Sequence, residues 1–298
     1  MHPADSLLAF TLCADDYALS PAVSLGIREA LAAGRLSATG AMTTRPSWPQ
    51  AARELTALGA DADIGLHFNL TLGAPLTAMP QLAPERQLPS IGTLMRLARQ
   101  KALPEAEIRA ELSAQLDAFS AHMGRAPDFL DGHQHVQILP GIRTWAIEEL
   151  QRRKLQGRIW LRDSADRSSR ILTRGSDLPK ALGLAWLARG FAAEAARSGF
   201  ATNDGFAGFS AFDPDSDYAS AFERYLAAPG KTHLVMCHPG HIDGELAALD
   251  PVTKTREQEL AFLLSDQFSQ VMARRDARLV RLLLRRSPWR ASRPHVPS

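Results

Sequence analysis

Acidic and imidazole side chains follow several short apolar runs of this sequence. The run LLAFTLC is followed by the adjacent carboxylates Asp15 and Asp16, and the run LVMC is followed by His238. The segments GLHFNL and FLDGHQH carry the further histidines His67, His133 and His135. Two or three neutral imidazoles with one carboxylate suit Zn²⁺, Mn²⁺, Co²⁺, Ni²⁺ or Fe²⁺ and leave coordination positions open. These residue types therefore predict a metal site with acid–base groups beside it, provided that the segments meet in space.

Each of these motifs alone has an ordinary explanation. An Asp-Asp pair is most often a solvated turn, because two carboxylates are easily hydrated or used as caps. A single histidine after an apolar run is more often a hydrogen-bonded structural residue than a metal ligand. The joint placement of the polar residues at several predicted strand ends favours the metal site.

The elements that would position these groups alternate along the chain. Short apolar runs are followed by longer segments of helical period, which is the pattern of a parallel sheet with crossover helices. After the first run, Ser20 is a candidate N-cap, Pro21 suits the first helical turn and Gly34 can end the helix. About six or seven such alternations predict an α/β fold, a distorted TIM-like (β/α) barrel with its active site at the C-terminal strand ends.

We find no linker, internal repeat or low-complexity block that would divide the chain. We therefore expect a single domain over residues 1–285 and a flexible basic tail over residues 286–298. Residues 73–104 are Pro-rich and weakly periodic, which is typical of a long excursion that acts as a lid or a subunit contact. The aromatic rings of Phe206, Phe209 and Phe212 could pack on a sugar or form a core cluster, and the sequence leaves both open.

The overall composition excludes several classes of protein. The 298 residues carry a formal net charge of +2, from 34 basic and 32 acidic side chains, so charge gives no argument for a nucleic-acid partner. The two cysteines, Cys13 and Cys237, lie within apolar runs and exclude a disulfide scaffold. No apolar run approaches the ~20 residues of a membrane span, and no signal peptide is recognisable. We expect a cytoplasmic protein without an integral membrane segment.

Several segments together resemble the YdjC-like carbohydrate deacetylases, a family that includes chitooligosaccharide deacetylases and hopanoid-associated members. These segments are ADDYALSPAVSLGIREALAAGRLSATGAM, IGLHFNLTLGAPL, FLDGHQHVQILPGI, the Arg of IWLRDS, and LVMCHPGHID followed by TREQELAFL. The likeness extends from Leu8 to about Leu264. The chain departs from the family at Tyr17-Ala18, where Phe-Gly is usual, and at Gln137, where a histidine often stands.

The resemblance implies a distorted β/α barrel and one divalent metal ion, Mg²⁺ or Zn²⁺ or another first-row metal. It also implies hydrolysis of an N-acetyl group from an amino sugar, in an N-acetylglucosamine-type oligosaccharide or a glycolipid. By the family pattern, the metal ligands are Asp16, His67 and His133, with His135 as the alternative third ligand.

The same pattern assigns the acid–base groups. Asp15 is the general base, and His238 is the candidate acid for the leaving amine. Arg162 is a candidate partner that would orient Asp15 and lower its pKa. Two other hypotheses stay open. The protein could be a metal-dependent hydrolase of another bond, such as a phosphoester, or a non-catalytic carbohydrate-binding relative. A homodimer is also left open.

Overall fold

Nine parallel strands form one sheet in the computed structural model, which describes residues 7–282. In chain order the strands are β1 (Leu8–Tyr17), β2 (Ala38–Ala41), β3 (Asp63–Phe68), β4 (Phe129–Gly132), β5 (Trp160–Leu161), β6 (Ala201–Thr202), β7 (Phe206–Ala207), β8 (His233–Cys237) and β9 (Ala277–Leu279). Their order in the sheet is β6-β5-β4-β3-β2-β1-β8-β7, and β9 pairs with the start of β1. All recorded ladders are parallel, so the strands end at a common edge.

Helices connect the strands as the crossovers of a β/α fold. They are α1 (Pro21–Ala32), α2 (Trp48–Leu58), α3 (Ile91–Arg99), α4 (Glu105–Met123), α5 (Ile142–Arg152), α6 (Ser168–Arg174), α7 (Leu178–Leu187), α8 (Phe191–Arg197), α9 (Tyr218–Tyr225), α10 (Gly244–Leu249), α11 (Lys254–Leu264) and α12 (Asp266–Arg274). Ser20 caps α1 by accepting a hydrogen bond from the Val23 backbone N–H, and Pro21 opens the helix, as the sequence predicts. No helix within residues 7–282 has the length and apolar character needed to cross a bilayer.

The core lies on both faces of the strands because side chains alternate along them. On β1, Leu12 and Ala14 belong to the large apolar cluster that includes the α1 side chains, whereas Cys13 belongs to a second cluster with Phe129, Trp160 and other side chains. This alternation places Asp15 on the same face as Cys13. The strand thus directs the Asp15 carboxylate to the inner face of the barrel-like sheet.

The predicted fold class is confirmed, since the protein is an α/β fold with a parallel, barrel-like sheet. The predicted strand count of about six or seven is too low, because β6 and β7 have two residues each and β9 has three. These three strands are too short to produce an apolar run in the sequence. The chain also continues past the last predicted helix into α12 and β9. Residues 286–298, predicted to be a tail, lie outside the described range, and the single-domain boundary stays a prediction.

The sheet ends, β6 and β7, are joined through Asn203. Its side-chain amide donates to the backbone oxygens of Asp163 and Gly205, and its amide oxygen accepts from the Asp163 N–H. One buried side chain therefore links the chain just after β5 to the residue just before β7.

The excursion over residues 73–104 contains helix α3. Two glutamate side chains of α4 fix its first part by hydrogen bonds. Glu111 accepts hydrogen bonds from the backbone N–H groups of Leu76 and Thr77, and Glu107 accepts those of Gln81 and Leu82. These two carboxylates hold the first part of the excursion as a wall against the barrel.

Candidate functional site

A cavity of about 310 Å³ opens at the edge where the parallel strands end. Its polar lining comprises Asp15, Asp16, His67, His133, His135 and His238, together with Gln134, Lys180, Asp250 and Arg256. The side chains that the sequence singled out at separate strand ends therefore share one cavity. Arg162, directly after β5, is fully buried and contacts Asp15.

The end of β1 turns the two adjacent carboxylates in different directions. The strand continues through both of them to Tyr17, with an irregularity in its pairing to β2 between Ala14 and Tyr17. Asp16 has a φ of 70°, in the left-handed region that non-glycine residues rarely adopt. This backbone conformation lets Asp15 face Arg162 while Asp16 faces His133.

Asp16, His67 and His133 bring one carboxylate and two imidazoles together. Oδ1 of Asp16 lies 2.9 Å from Nδ1 of His133 and 3.4 Å from Nε2 of His67. One potential ligand atom from each of the three residues lies within 4.8 Å of the others. All three residues are buried, so packing holds their donor atoms in place.

A second carboxylate fixes the His67 ring. Asp131 on β4 accepts a hydrogen bond from Nδ1 of His67 at 2.7 Å, which leaves Nε2 directed at Asp16. Burial lowers the pKa of His67, but Asp131 and Asp15 outweigh this effect and raise it to about 10. The imidazole is therefore a cation in the metal-free protein.

This donor set fits a divalent first-row ion. Two imidazoles and one carboxylate suit Zn²⁺, Mn²⁺, Co²⁺, Ni²⁺ or Fe²⁺ better than Mg²⁺, which prefers oxygen ligands. The His67–Asp131 hydrogen bond is the carboxylate contact that typically orients a metal-ligating imidazole. The three residues could therefore hold one such ion, with Asp131 behind them.

Arg162 holds Asp15 by two hydrogen bonds. Its two terminal nitrogens donate to the two carboxylate oxygens of Asp15, each at 2.6 Å. One of these nitrogens also lies 2.6 Å from Oδ2 of Asp131 and 3.0 Å from Sγ of Cys13. Burial raises the pKa of Asp15, but Arg162 and the nearby His67 outweigh it and lower the pKa to about 2. Asp15 is thus ionised and fixed in orientation.

His238 faces Asp15 from the end of β8. Its Nε2 lies 3.9 Å from Oδ2 of Asp15, and its ring meets the edge of Phe212 at 5.3 Å between centroids. The His238 backbone N–H donates to Glu259 on α11 at 2.5 Å. Burial lowers the pKa of His238 to about 4, although Asp15 and Asp16 oppose the shift. The imidazole is therefore neutral at neutral pH.

His135, the alternative ligand of the sequence analysis, lies on a different wall of the cavity. Gln134 and His135 both have left-handed φ values, of 52° and 61°, so the chain turns sharply after His133. Nδ1 of His135 lies 3.1 Å from Oγ of Ser164, and its ring packs against Phe206 and Phe209. The structure thus groups His133, and not His135, with Asp16 and His67.

The three phenylalanines divide between the two roles that the sequence left open. Phe206 and Phe209 are buried in a core cluster, whereas Phe212 lines the cavity.

The departures from the family pattern lie behind the cavity wall. The Tyr17 hydroxyl donates to the backbone oxygen of Ala51 on α2 at 2.7 Å, away from the cavity. Ala18 has a φ of 71°, a conformation in which glycine carries no steric penalty. Gln137 is buried and donates to the Arg162 backbone oxygen at 3.2 Å. The positive φ explains why glycine is usual at position 18. Ala18 adopts the same conformation with some local backbone strain.

Three further polar residues were missed in the sequence: Asp131, Arg256 and Glu259. Arg256 is 1% exposed and donates to Oδ2 of Asp16 at 2.7 Å. All three lie in segments that carried the family resemblance, namely FLDGHQH and TREQELAFL. Their partners are distant in sequence, and no local pattern marks them as buried.

Comparisons with known proteins agree with the resemblance. The family model described as YdjC-like protein matches residues 9–274. The chain is 32% identical to the chitooligosaccharide deacetylase of Citrobacter koseri, over 89% of this chain and 94% of that protein. A 132-residue segment is 40% identical to the chitooligosaccharide deacetylase of Enterobacter sp. (strain 638), over 43% of this chain and 50% of that protein.

A solved structure from Enterococcus faecalis V583, described provisionally as a cellobiose-phosphate cleavage protein, shares the fold. Its TM-score is 0.70 at 20% identity, covering 95% of this chain and 100% of that one. The names of the curated relatives agree with the expectation of a deacetylase enzyme. The family match over most of the length shows that this chain belongs to the YdjC-like family.

Proposed function

We propose that the protein is a metal-dependent hydrolase that removes an N-acetyl group from an amino sugar of the N-acetylglucosamine type, in an oligosaccharide or a glycolipid. One observation carries the proposal: a two-histidine, one-carboxylate donor set lies beside an arginine-held carboxylate and a neutral imidazole in one cavity. The name chitooligosaccharide deacetylase, borne by the curated relatives, supports the choice of substrate.

Asp16, His67 and His133 are the proposed metal ligands. When bound, a divalent ion polarises the acetyl carbonyl and lowers the pKa of a bound water from about 15.7 toward 7. To hold the ion through Nε2, His67 would have to lose its proton there, and Asp131 would keep the ring in the required orientation.

Asp15 is the proposed general base. Its pKa of about 2 makes it a weak base, so it can accept a proton only from a water that has been made acidic. In return, the two hydrogen bonds from Arg162 keep the carboxylate ionised and fixed toward the cavity. The low pKa of Asp15 is thus matched to a metal-dependent reaction.

His238 is the proposed acid for the departing amine. Because its imidazole is neutral in the free site, it must first receive a proton, and Oδ2 of Asp15 is 3.9 Å from its Nε2. The proton that the attacking water gives to Asp15 passes to His238 and then to the amine nitrogen. The water oxygen bonds to the acetyl carbon, the C–N bond breaks, and the products are acetate and a free amine.

Acetate release tests the proposed function. The purified protein is assayed with N-acetylglucosamine oligomers of increasing length and with N-acetylglucosamine-linked lipids, before chelation, after chelation, and after Zn²⁺, Co²⁺ or Mg²⁺ is restored. We expect acetate that is lost on chelation and recovered on metal addition. Acetate from none of these compounds, with any of the metals, would contradict the proposal.

Two near-isosteric variants separate the assigned roles. Asp15→Asn should retain metal affinity and lose most turnover, whereas Asp16→Asn should weaken metal binding. Asp215→Asn, an exposed exchange of the same type, is the control. Normal hydrolysis by both Asp15→Asn and Asp16→Asn would refute the assignment of Asp15 and Asp16.

A cytoplasmic location stays a prediction from the sequence.

A further inference from the structure

Arg256 is a buried arginine that contacts the candidate metal centre from behind. It is the third residue of α11, and it also lies on the wall of the cavity. One terminal nitrogen lies 2.7 Å from Oδ2 of Asp16 and 2.7 Å from Oδ2 of Asp250, and Nε donates to the Val252 backbone oxygen at 3.0 Å. Three acceptors thus hold a guanidinium that is 1% exposed.

The two oxygens of Asp16 are divided between different partners. Oδ1 faces the two imidazoles, at 2.9 Å from His133 and 3.4 Å from His67, whereas Oδ2 is taken by Arg256. A free carboxylate could turn both oxygens toward a cation, but the charge-assisted hydrogen bond to Arg256 opposes that rotation. The carboxylate therefore presents one oxygen to the centre.

We infer that Arg256 is a positioning residue that limits Asp16 to single-oxygen ligation and weakens the binding of the divalent ion. The inference rests on the proposed metal centre. Two physical effects act in the same direction: the guanidinium occupies Oδ2, and its positive charge repels a second cation nearby. A ligand that is shared with an arginine also gives less charge to the metal, which leaves the metal a stronger Lewis acid.

Asp250 sets the strength of this effect. Its carboxylate shares the same nitrogen of Arg256 with Asp16 and so neutralises part of the guanidinium charge. Without the Asp250 charge, the full charge of Arg256 would act on Asp16 and on the metal. Substitutions at the two positions should therefore change metal affinity in opposite directions.

The test is a titration of the metal-free full-length protein with Co²⁺, followed by visible absorption. The absorption reports both affinity and coordination number, since added oxygen ligands weaken the d–d bands of Co²⁺. The proteins compared are wild type, Arg256→Met, Asp250→Asn, the double variant, and Arg224→Met as a control at an exposed arginine of α9.

We expect Arg256→Met to bind Co²⁺ about tenfold more tightly or better, with weaker d–d absorption as Asp16 gains a second contact. Asp250→Asn should bind severalfold more weakly with the wild-type spectrum, and the double variant should resemble Arg256→Met, because Asp250 acts through Arg256. Arg224→Met should match wild type.

Each alternative outcome has a definite meaning. If wild type binds no Co²⁺, the proposed function fails. If wild type binds but Arg256→Met has unchanged or weaker affinity, or the effects of the two substitutions simply add, the role of Arg256 is refuted and the proposed function stands. Should Arg256→Met not fold, Arg256→Gln replaces it. The shorter, uncharged side chain should give the same spectral change, and an unchanged spectrum would refute the inference.

Discussion

His233 makes the fold sensitive to acid at the strand that delivers His238 to the cavity. It is the first residue of β8 and is 1% exposed. Nε2 donates to the backbone oxygen of Tyr225 at 2.8 Å, while Nδ1 has no hydrogen-bond partner within residues 7–282. Nδ1 lies against Gly205, where an added Cβ would be 2.7 Å from it. A second ring proton would therefore have no acceptor.

The pKa of His233 gives the free-energy cost of adding that second ring proton in the folded protein. Burial is the main cause that lowers the pKa of His233 to about 4. The hydrogen bond to Tyr225 and the charge of Asp166 oppose this shift, whereas Arg174 and Arg170 add to it. The ordinary value is 6.5. Between these two values the unfolded chain binds more protons than the folded one, so stability falls as the pH falls from 6.5 to 4. The shift corresponds to a loss of about 3 kcal/mol.

His233→Gln tests this value, because glutamine can keep a donor to Tyr225 and has no titratable group. Urea unfolding of both proteins at pH 7 and pH 4 gives the difference in their free energies of unfolding. We expect wild type to lose about 3 kcal/mol relative to the variant between these pH values. The same exchange at the exposed His122 is the control. Parallel stability curves for wild type and His233→Gln would refute the reasoning.

Three other predictions concern single contacts. Burial raises the pKa of Asp163 to about 7, so its ionised form destabilises the fold above the ordinary value of 3.8; Asp163→Asn should be about 2–4 kcal/mol more stable at pH 8 by urea unfolding, with the difference vanishing toward pH 4. Arg162→Lys keeps a charge but loses the paired hydrogen bonds to Asp15, so kcat should fall about 100-fold; an unchanged kcat would contradict the orienting role. Tyr17→Phe loses the bond to Ala51 and should cost about 1 kcal/mol in urea unfolding without affecting Co²⁺ affinity; a changed affinity would mean that Tyr17 acts on the cavity.

The assembly of the cavity could be predicted because parallel strands end at one edge. His67, His133 and His238 are far apart in sequence, yet each stands at or just after the end of a strand. An apolar run followed by a polar residue is a local pattern, and the parallel sheet converts it into a spatial cluster. That is why three separate weak signals predict one cavity.

The choice between His133 and His135 could not be made from spacing. Residues two apart face the same side only while the strand continues. Here β4 ends at Gly132, and the left-handed conformations of Gln134 and His135 turn the second histidine toward Ser164. Tertiary contacts hold non-glycine residues in such conformations, and nothing in the sequence GHQH indicates that these two residues adopt them.

Arg162 was predicted as the partner of Asp15, but the cation that compensates Asp16 was beyond the sequence pattern. Arg256 stands in TREQELAFL, where charged residues at helical spacing are typical of a solvated surface. Its partner Asp16 is 240 residues away. A buried ion pair of this kind is decided by how α11 packs beside the end of β1, which depends on the whole fold.

The two adjacent carboxylates are tolerated because their directions differ. Each faces its own guanidinium, Asp15 that of Arg162 and Asp16 that of Arg256. Asp131 adds a third formal negative charge and the protonated His67 a third positive one, so these six side chains balance in formal charge, and the partly buried Asp250 adds one more carboxylate beside Arg256. Burying unpaired charge is costly, and removing one arginine leaves an excess negative charge that only another cation can offset. The left-handed backbone at Asp16 is the local strain that makes this separation of the two carboxylates sterically feasible.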